Sequence, residues 1–556
     1  MSTTSPPPEG PSGPEYLEQG GGDPVAPSSS SSGGSPGRGR RTTLLAGGAV
    51  VLLAAAGAGT WAAVSFFGGG AQPAEALPAG TLAYMTVDLD PSGAQKIEAL
   101  RMIEKFPAIK EELGGFDAQD DVRRKIFEEA ECKGLSYDDD IAPWLGTSFA
   151  VAAVDAGEEQ PSPVGVLELT DAGAAEDGLA KLAECGTEAE SGSETGFVVE
   201  GDWAIVAETE EIAQSVVDGT GDGTLADDST YQDWMGQVGE PGVVSMYASP
   251  DVGPLLADLM AAELGAQGAS APSSATESGA LTTSQEPEPE VPEELVKAFE
   301  DFKGAAGTVR FAGSGVEVEF AASVPEGSMM TLPTTEGATV DVVGTLPADT
   351  AVAYGAALPE GWAQSLLETL PSYGIPQEQI DQGLAQAEAQ TGLSLPEDVE
   401  TLLGEQFALA FGGSFDLEQL VNSGDPSGLP LGAKVRGDAE GINAVMEKLG
   451  TSSGMPEWFG TETSGDTVSW SINPDYRQTL AGEGGLGESE VFQGVLPEAD
   501  RASNLVFVDF DAGDWLTSLS EGDQEAQDNL EPLSALGISS WLEGETTHGK
   551  LRLTTD

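Results

Sequence analysis

The sequence predicts an α+β fold with mainly antiparallel sheets, present twice in tandem behind one N-terminal transmembrane helix. Three observations lead there. Residues 42–67, TTLLAGGAVVLLAAAGAGTWAAVSFF, carry no charge. Beyond them, apolar residues at period two mix with apolar residues at helical spacing. From Leu77 onward the chain also reads as two related copies.

As a helix at ~1.5 Å per residue, the apolar run exceeds a hydrocarbon core of roughly 30 Å. Arg38, Arg40 and Arg41 precede it, and no Lys or Arg follows until Lys96. That asymmetry places the N-terminus in the cytoplasm and the bulk of the chain outside. Trp61, Phe66 and Phe67 near the outer end suit the membrane interface. The expectation is a single-pass protein of the cell membrane, with the lipid bilayer as partner through 42–67. A cleaved signal competes with this reading. Its apolar core would be shorter, about 7–15 residues, although Ala74-Glu75-Ala76 has the form of a cleavage site. No Cys follows the run closely, which excludes a bacterial lipid anchor. Ala55 and Gly59 form a small-xxx-small pair, but in a segment so rich in Ala and Gly this leaves self-association open.

Composition bounds the partners. The 556 residues carry a formal net charge of −72, and only Glu9, Glu15, Glu18 and Asp23 of the acidic residues precede the anchor. This argues against nucleic acid, whose phosphates demand Lys and Arg, and against anionic headgroups. Cations, basic partners, plain solubility and salt adaptation stay open. The two cysteines, Cys132 and Cys185, both fall outside the membrane, where a disulfide between them is expected. The competing reading is two buried thiols.

Residues 1–41 form a Pro/Gly/Ser-rich tail expected to be disordered in the cytoplasm, and 68–76 a linker. The first α+β repeat spans 77–325, with a Ser/Ala/Glu/Pro insertion at 265–292 expected to be disordered. A linker at 326–345 leads to the second repeat, 346–556. Leu77-Pro78-Ala79-Gly80-Thr81 recurs as Leu346-Pro347-Ala348-Asp349-Thr350. Asp139-Asp140-Ile141 through Gly146 is echoed by Glu397-Asp398-Val399 through Gly404, each followed by a strand. Tyr231-Gln232 answers Phe492-Gln493. Val316, Val318 and Phe320 alternate with Glu317 and Glu319, predicting a half-buried strand with a solvated glutamate face. Leu551 and Leu553, between Lys550 and Arg552, close the second repeat in the same way. Ile442, Val445, Met446 and Leu449 share one face of a helix, as do Trp362, Leu366 and Leu370.

The Leu-Pro-Ala-x-Thr opening, Asp88-Leu89-Asp90-Pro91-Ser92-Gly93 before a helix, and Asp140-Ile141-x-Pro143-Trp144-Leu145-Gly146 before a strand resemble a bacterial family. It is domain of unknown function 3352, membrane-anchored proteins of high-GC Gram-positive bacteria. The resemblance covers most of the external part and implies its architecture; it implies no mechanism.

Chemistry is thinly provided. His548 is the one histidine, expected at the surface or in a hairpin loop. It cannot make a two-His zinc site, and no nucleophile elbow or phosphate loop occurs. Asp88 and Asp90 open a calcium-like loop, but Ala99 stands where a bidentate Glu is required. The better reading is Asp90 as N-cap with Pro91 at N1. Asp218 to Gly223 reads as a turn. Asp138, Asp139 and Asp140 repel one another, which a cation would relieve; capping of the next short helix explains Asp139 or Asp140 without one. No cofactor is expected, calcium being the one candidate. The leading functional expectation is a non-enzymatic binding or scaffolding protein of the cell envelope, meeting an envelope protein or wall partner. A carrier for a lipid or other apolar ligand, and a wall hydrolase using carboxylates alone, are the alternatives.

Overall fold

The computed structural model describes residues 72–89, 93–107, 123–124, 135–157, 160–188, 195–255, 299, 301–323, 340–373, 375–414, 426–482, 484–513, 515–516 and 524–556. The expectations for the 1–41 tail, the 42–67 span with Arg38, Arg40 and Arg41, and the 265–292 insertion lie outside these residues. Among the described residues, no helix is long and apolar enough to cross a membrane.

Among the described residues, alternation in the sequence becomes sixteen strands of one sheet, and every pairing is antiparallel. The first eight are β1 (Ala83–Asp88), β2 (Leu145–Val154), β3 (Ser162–Leu169), β4 (Gly196–Glu200), β5 (Trp203–Ala207), β6 (Val244–Ala248), β7 (Ala305–Ala312) and β8 (Gly315–Ser323). The second eight are β9 (Thr350–Ala357), β10 (Gln406–Gly412), β11 (Leu431–Arg436), β12 (Thr461–Ser464), β13 (Thr467–Ser471), β14 (Asn504–Asp509), β15 (Leu533–Glu543) and β16 (Thr546–Thr555). Outward from the centre the first half runs β8-β7-β6-β1-β2-β3-β5-β4, and the second runs β16-β15-β14-β9-β10-β11-β13-β12. The order is the same in both halves, and β8 pairs with β16 to join them. Two tandem domains would each have their own sheet; here the last strand of each half completes the hydrogen bonding of the other, so no edge is left at the centre.

The halves repeat local devices as well. Leu77 and Leu346 are fully buried, and their carbonyls accept from the N–H of Leu225 and of Leu486. In the turn that follows, the hydroxyls of Thr81 and Thr350 each donate to a proline carbonyl at 2.7 Å. Asp228 caps α4 (Ser229–Gln237) and Ser489 caps α10 (Glu490–Val495). Gln232 and Gln493 reach back to the carbonyls of Ala226 and Gly487 at 2.8 and 2.9 Å.

One face of the sheet is closed. Over the first half lie a 3-10 turn at Pro73–Ala76, α3 (Glu210–Gly219) and α4; over the second lie a 3-10 turn at Asp341–Thr345, α9 (Pro474–Ala481) and α10. These turns occupy the described ends of the expected linkers at 68–76 and 326–345. Ala74, Val342 and Val343 are fully buried, because each turn fills the core of its own half. The Ala74-Glu75-Ala76 triplet is the first of these turns. On the opposite face, α2 (Ala172–Glu188) covers one end, α7 (Glu397–Leu403) and α8 (Ala439–Ser453) the other, and α1 (Gly93–Lys105) lies over the joint. There Ala99, Met102 and Phe106 pack on Phe311 and Val316, with Leu533 and Leu553 of the second half. α5 (Trp362–Thr369), α6 (Gln377–Thr391) and α11 (Gln524–Leu530) are further helices among the described residues.

Candidate functional site

The acidic cluster comes first. Residues 137–141 form a single wide turn, closed by the Ala142 N–H on the Tyr137 carbonyl. Asp138 is exposed and takes both ends of the Arg124 guanidinium at 2.7 and 2.8 Å; that guanidinium lies 5.0 Å over the Tyr137 ring. Asp140 accepts from the Ser136 N–H at 2.9 Å and pairs with Lys181 of α2. The second half builds the same clasp: Asp398 accepts from the Ser394 N–H at 2.7 Å and from Lys448 of α8 at 2.8 Å. In each half the lysine, then the backbone donor, holds the carboxyl below its usual range. Asp139 is exposed. Asp140 thus caps its own turn and tethers a helix; it does not cap a following one.

The other candidates do not converge with these. Asp88 ends β1 and its N–H donates to the Val243 carbonyl; Asp90 lies outside the described residues. Of residues 218–223, Asp218 and Gly219 end α3 and Thr220–Asp222 form a 3-10 turn closed by Gly223 at φ 135°. Cys185 falls on α2, and Cys132 lies outside the described residues. Among the described residues, no group of three His, Cys, Asp or Glu side chains could hold a metal ion.

β8 carries the main correction. Glu317 and Glu319 are 6% and 8% exposed, while Phe320 is 44% exposed. The glutamates point to the closed face, against cations that only tertiary structure brings there. Arg310 on β7 donates from Nε to Glu317 at 2.9 Å and also pairs with Glu319. Its Nη1 donates to the carbonyls of Val238 and Glu240. Lys550 on β16 lies 3.4 Å from Glu319, 3.3 Å from Glu498 and 3.8 Å from Glu317. Burial alone would lower the Arg310 pKa; its two glutamates outweigh burial and raise it. The signal available in the sequence was complementarity: one closing strand offers Glu-x-Glu and the other Lys-x-Arg.

His548 is also buried, at 5% exposure, and stands within β16 rather than in a loop. Its ring stacks on Trp541, its cross-strand neighbour, with centroids 5.3 Å apart and planes 4° apart. Arg501 lies 4.1 Å from the Trp541 ring. Glu543 lies 3.9 Å from both Arg501 and His548. Lys434 takes the pairing position in the second half that Val166 takes in the first, and its Nζ donates to the Thr345 carbonyl at 2.9 Å.

The opposite face is apolar and half-open. Directly paired residues share a face, so register defines a ladder: Trp470, Ala433, Leu409, Tyr354, Val506, Ile538, Leu551, Val318, Val309, Val244, Val87, Phe149 and Leu167. It crosses thirteen strands from β13 to β3 without a polar break other than the Tyr354 hydroxyl. Leu409 is exposed and each of the others is partly exposed. Beside the ladder the Phe320 ring lies over Gly549, where a Cβ would come within 2.0 Å of it.

Residues 45–418 match the family described as "Protein of unknown function (DUF3352)". The chain belongs to the DUF3352 family. The match runs through the first half and past β10 of the second, so it includes β8 but stops short of β16. No curated protein and no solved structure matches this DUF3352 chain.

Proposed function

We propose that this DUF3352 chain is a non-enzymatic protein of the cell envelope, tethered by residues 42–67, that binds a lipid or other apolar ligand on its half-open sheet face. One observation carries the reading: the unbroken apolar ladder from Trp470 to Leu167. The ladder is covered in part by helices, and the portion left partly exposed is costly in water unless something occupies it. The ladder favours a carrier over a plain scaffold. A wall hydrolase needs carboxylates free to exchange protons, and the adjacent pair Glu317 and Glu319 is held by Arg310 and Lys550.

The test is extraction and mass spectrometry of the purified full chain beside variants Leu409→Asp and Ile538→Asp. The expected result is an apolar species retained in stoichiometric amount by the native chain and lost from both variants. Equal lipid in all three chains would mean that it rides on the anchor, and would sink the reading. In-cell cross-linking from the same two positions separates a protein partner from a small ligand.

A further inference from the structure

The chain is so acidic that the placing of each cation carries information. It has 22 Lys and Arg against 94 Asp and Glu. Most cations in the described set face a carboxylate of their own chain: Arg124, Lys181, Lys303, Arg310, Arg436, Lys448, Arg501 and Lys550. Lys434, Arg477 and Arg552 donate instead to backbone carbonyls. Among the described residues, Arg101 and Lys105, both on α1, make neither contact.

These two lie four residues apart, on one face of the helix. Together with Glu98 and Met102 they line a cavity of about 490 Å³, closed opposite by the Gly313-Ser314 turn between β7 and β8 and by Thr555 of β16. Arg101 is exposed and makes no ion pair among the described residues. Lys105 donates to the Thr555 hydroxyl at 2.9 Å, and that hydroxyl donates to the Ser314 carbonyl at 2.8 Å. The Oε2 atom of Glu98 is buried without a partner. Among the described lining residues, two cations stand against one carboxylate, which leaves the cavity a positive balance.

The cavity also touches the apolar face. Met102 belongs to the cluster in which α1 packs on Phe311 and Val316, against Val309, Val318 and Leu553. Val309 and Val318 are steps of the ladder. The size falls within the roughly 300–1,000 Å³ typical of small-ligand sites. A bare anion would leave most of it unfilled.

We infer that this cavity binds the anionic group of an amphiphile, with Arg101 and Lys105 as its counter-charges and the tail on the apolar face. The inference rests on the proposed apolar-ligand reading for the tail and on the cavity alone for the charged group. A phosphate or a carboxylate head would satisfy it, from a lipid or from a free anion, so the probes must separate the sources. Because the cavity is built from α1, the β7–β8 turn and β16, an occupant bridges both halves of the sheet.

The experiment is isothermal titration of the full chain in nanodiscs of neutral lipid, with dodecyl phosphate, a neutral dodecyl glycoside and inorganic phosphate as probes. Variants Arg101→Gln and Lys105→Gln are titrated alongside, and Ile538→Asp reports on the apolar face. The expected result is that dodecyl phosphate binds at least tenfold tighter than either other probe. Each cavity variant then loses about tenfold, in line with removing one charge-assisted contact, and Ile538→Asp also weakens it. If both amphiphiles bind equally and the cavity variants change nothing, the charged site is wrong and the apolar reading survives. If inorganic phosphate binds as tightly as dodecyl phosphate and Ile538→Asp has no effect, the cavity is a free-anion site and the tail is wrong. If no probe binds, both fall. Circular dichroism of each variant guards against loss of fold.

Discussion

At the scale of single residues, the joint between the halves depends on charges largely withdrawn from solvent and so satisfied by each other. Arg310→Met removes one cation from between Glu317 and Glu319 and leaves two carboxylates beside Lys550 alone. Breaking a buried pair from one side costs about 3–5 kcal/mol, and urea unfolding of the variant should show a loss of that size. His548 gives a pH signature. Burial lowers its pKa; Glu543 opposes this and Arg501 adds to it. The unfolded chain therefore binds the proton more readily than the folded one. Stability should fall as pH drops through about 6.5, the ordinary imidazole value, and hold above it. Because the chain has one histidine, His548→Gln should flatten the melting temperature between about pH 5 and 7. A slope that persists in the variant would assign it to other groups.

At the scale of elements, the same clasp holds one helix in each half. Asp140 fixes the 137–141 turn to α2 through Lys181, and Asp398 fixes α7 to α8 through Lys448. Both carboxyls are held below their usual range, so the stability they add is present at neutral pH and lost as pH falls through their lowered values. Asp140→Asn and Asp398→Asn should each lower the unfolding midpoint. Being independent sites, their effects should add in the double variant; a double variant no worse than either single one would contradict this. Gly178 on α2 makes a sharper case. A Cβ there would sit 2.2 Å from Nε1 of Trp144 and 2.8 Å from the Asp140 carbonyl. Trp144 is 2% exposed and its Nε1 donates to that carbonyl. The ring has nowhere to retreat, so Gly178→Ala should cost about 1–3 kcal/mol by overpacking, read from the same unfolding curves.

At the scale of the whole molecule, one sheet makes the two halves interdependent. All described residues fall in one compact unit. Calorimetry of the full chain should therefore show a single transition for the sheet, with calorimetric and van't Hoff enthalpies in agreement. A fragment ending after β8 would expose that strand's hydrogen-bonding edge and strand Glu319 without Lys550. Such an edge invites pairing with another copy, so the fragment should elute as a dimer or larger in size-exclusion chromatography with light scattering. A monodisperse monomer would show that β16 is dispensable.

Much of this architecture was legible locally. The Leu-Pro-Ala-x-Thr turns, the Asp140 and Asp398 positions and the Tyr231-Gln232 and Phe492-Gln493 pairs could be matched because each device closes within a few residues of itself. Alternation along a strand likewise told which residues share a face. It could not tell which face would be covered, since period two is symmetric between the faces. On β8 the covered face is the one with Glu317 and Glu319, because β7 and β16 bring Arg310 and Lys550 beside them. Nor could a linear pattern show that two copies would share one sheet, or that thirteen strands would align an apolar ladder. Those depend on which strand ends meet, Gly315 with Thr554 and Ser323 with Thr546. The sequence by itself determined the family, the α+β class and the repeated local turns, whose contacts are short in range. Only the tertiary structure decided the joint, the buried charges and the open face, because the strands that meet at the joint lie more than two hundred residues apart along the chain and period two does not say which face of a strand will be covered.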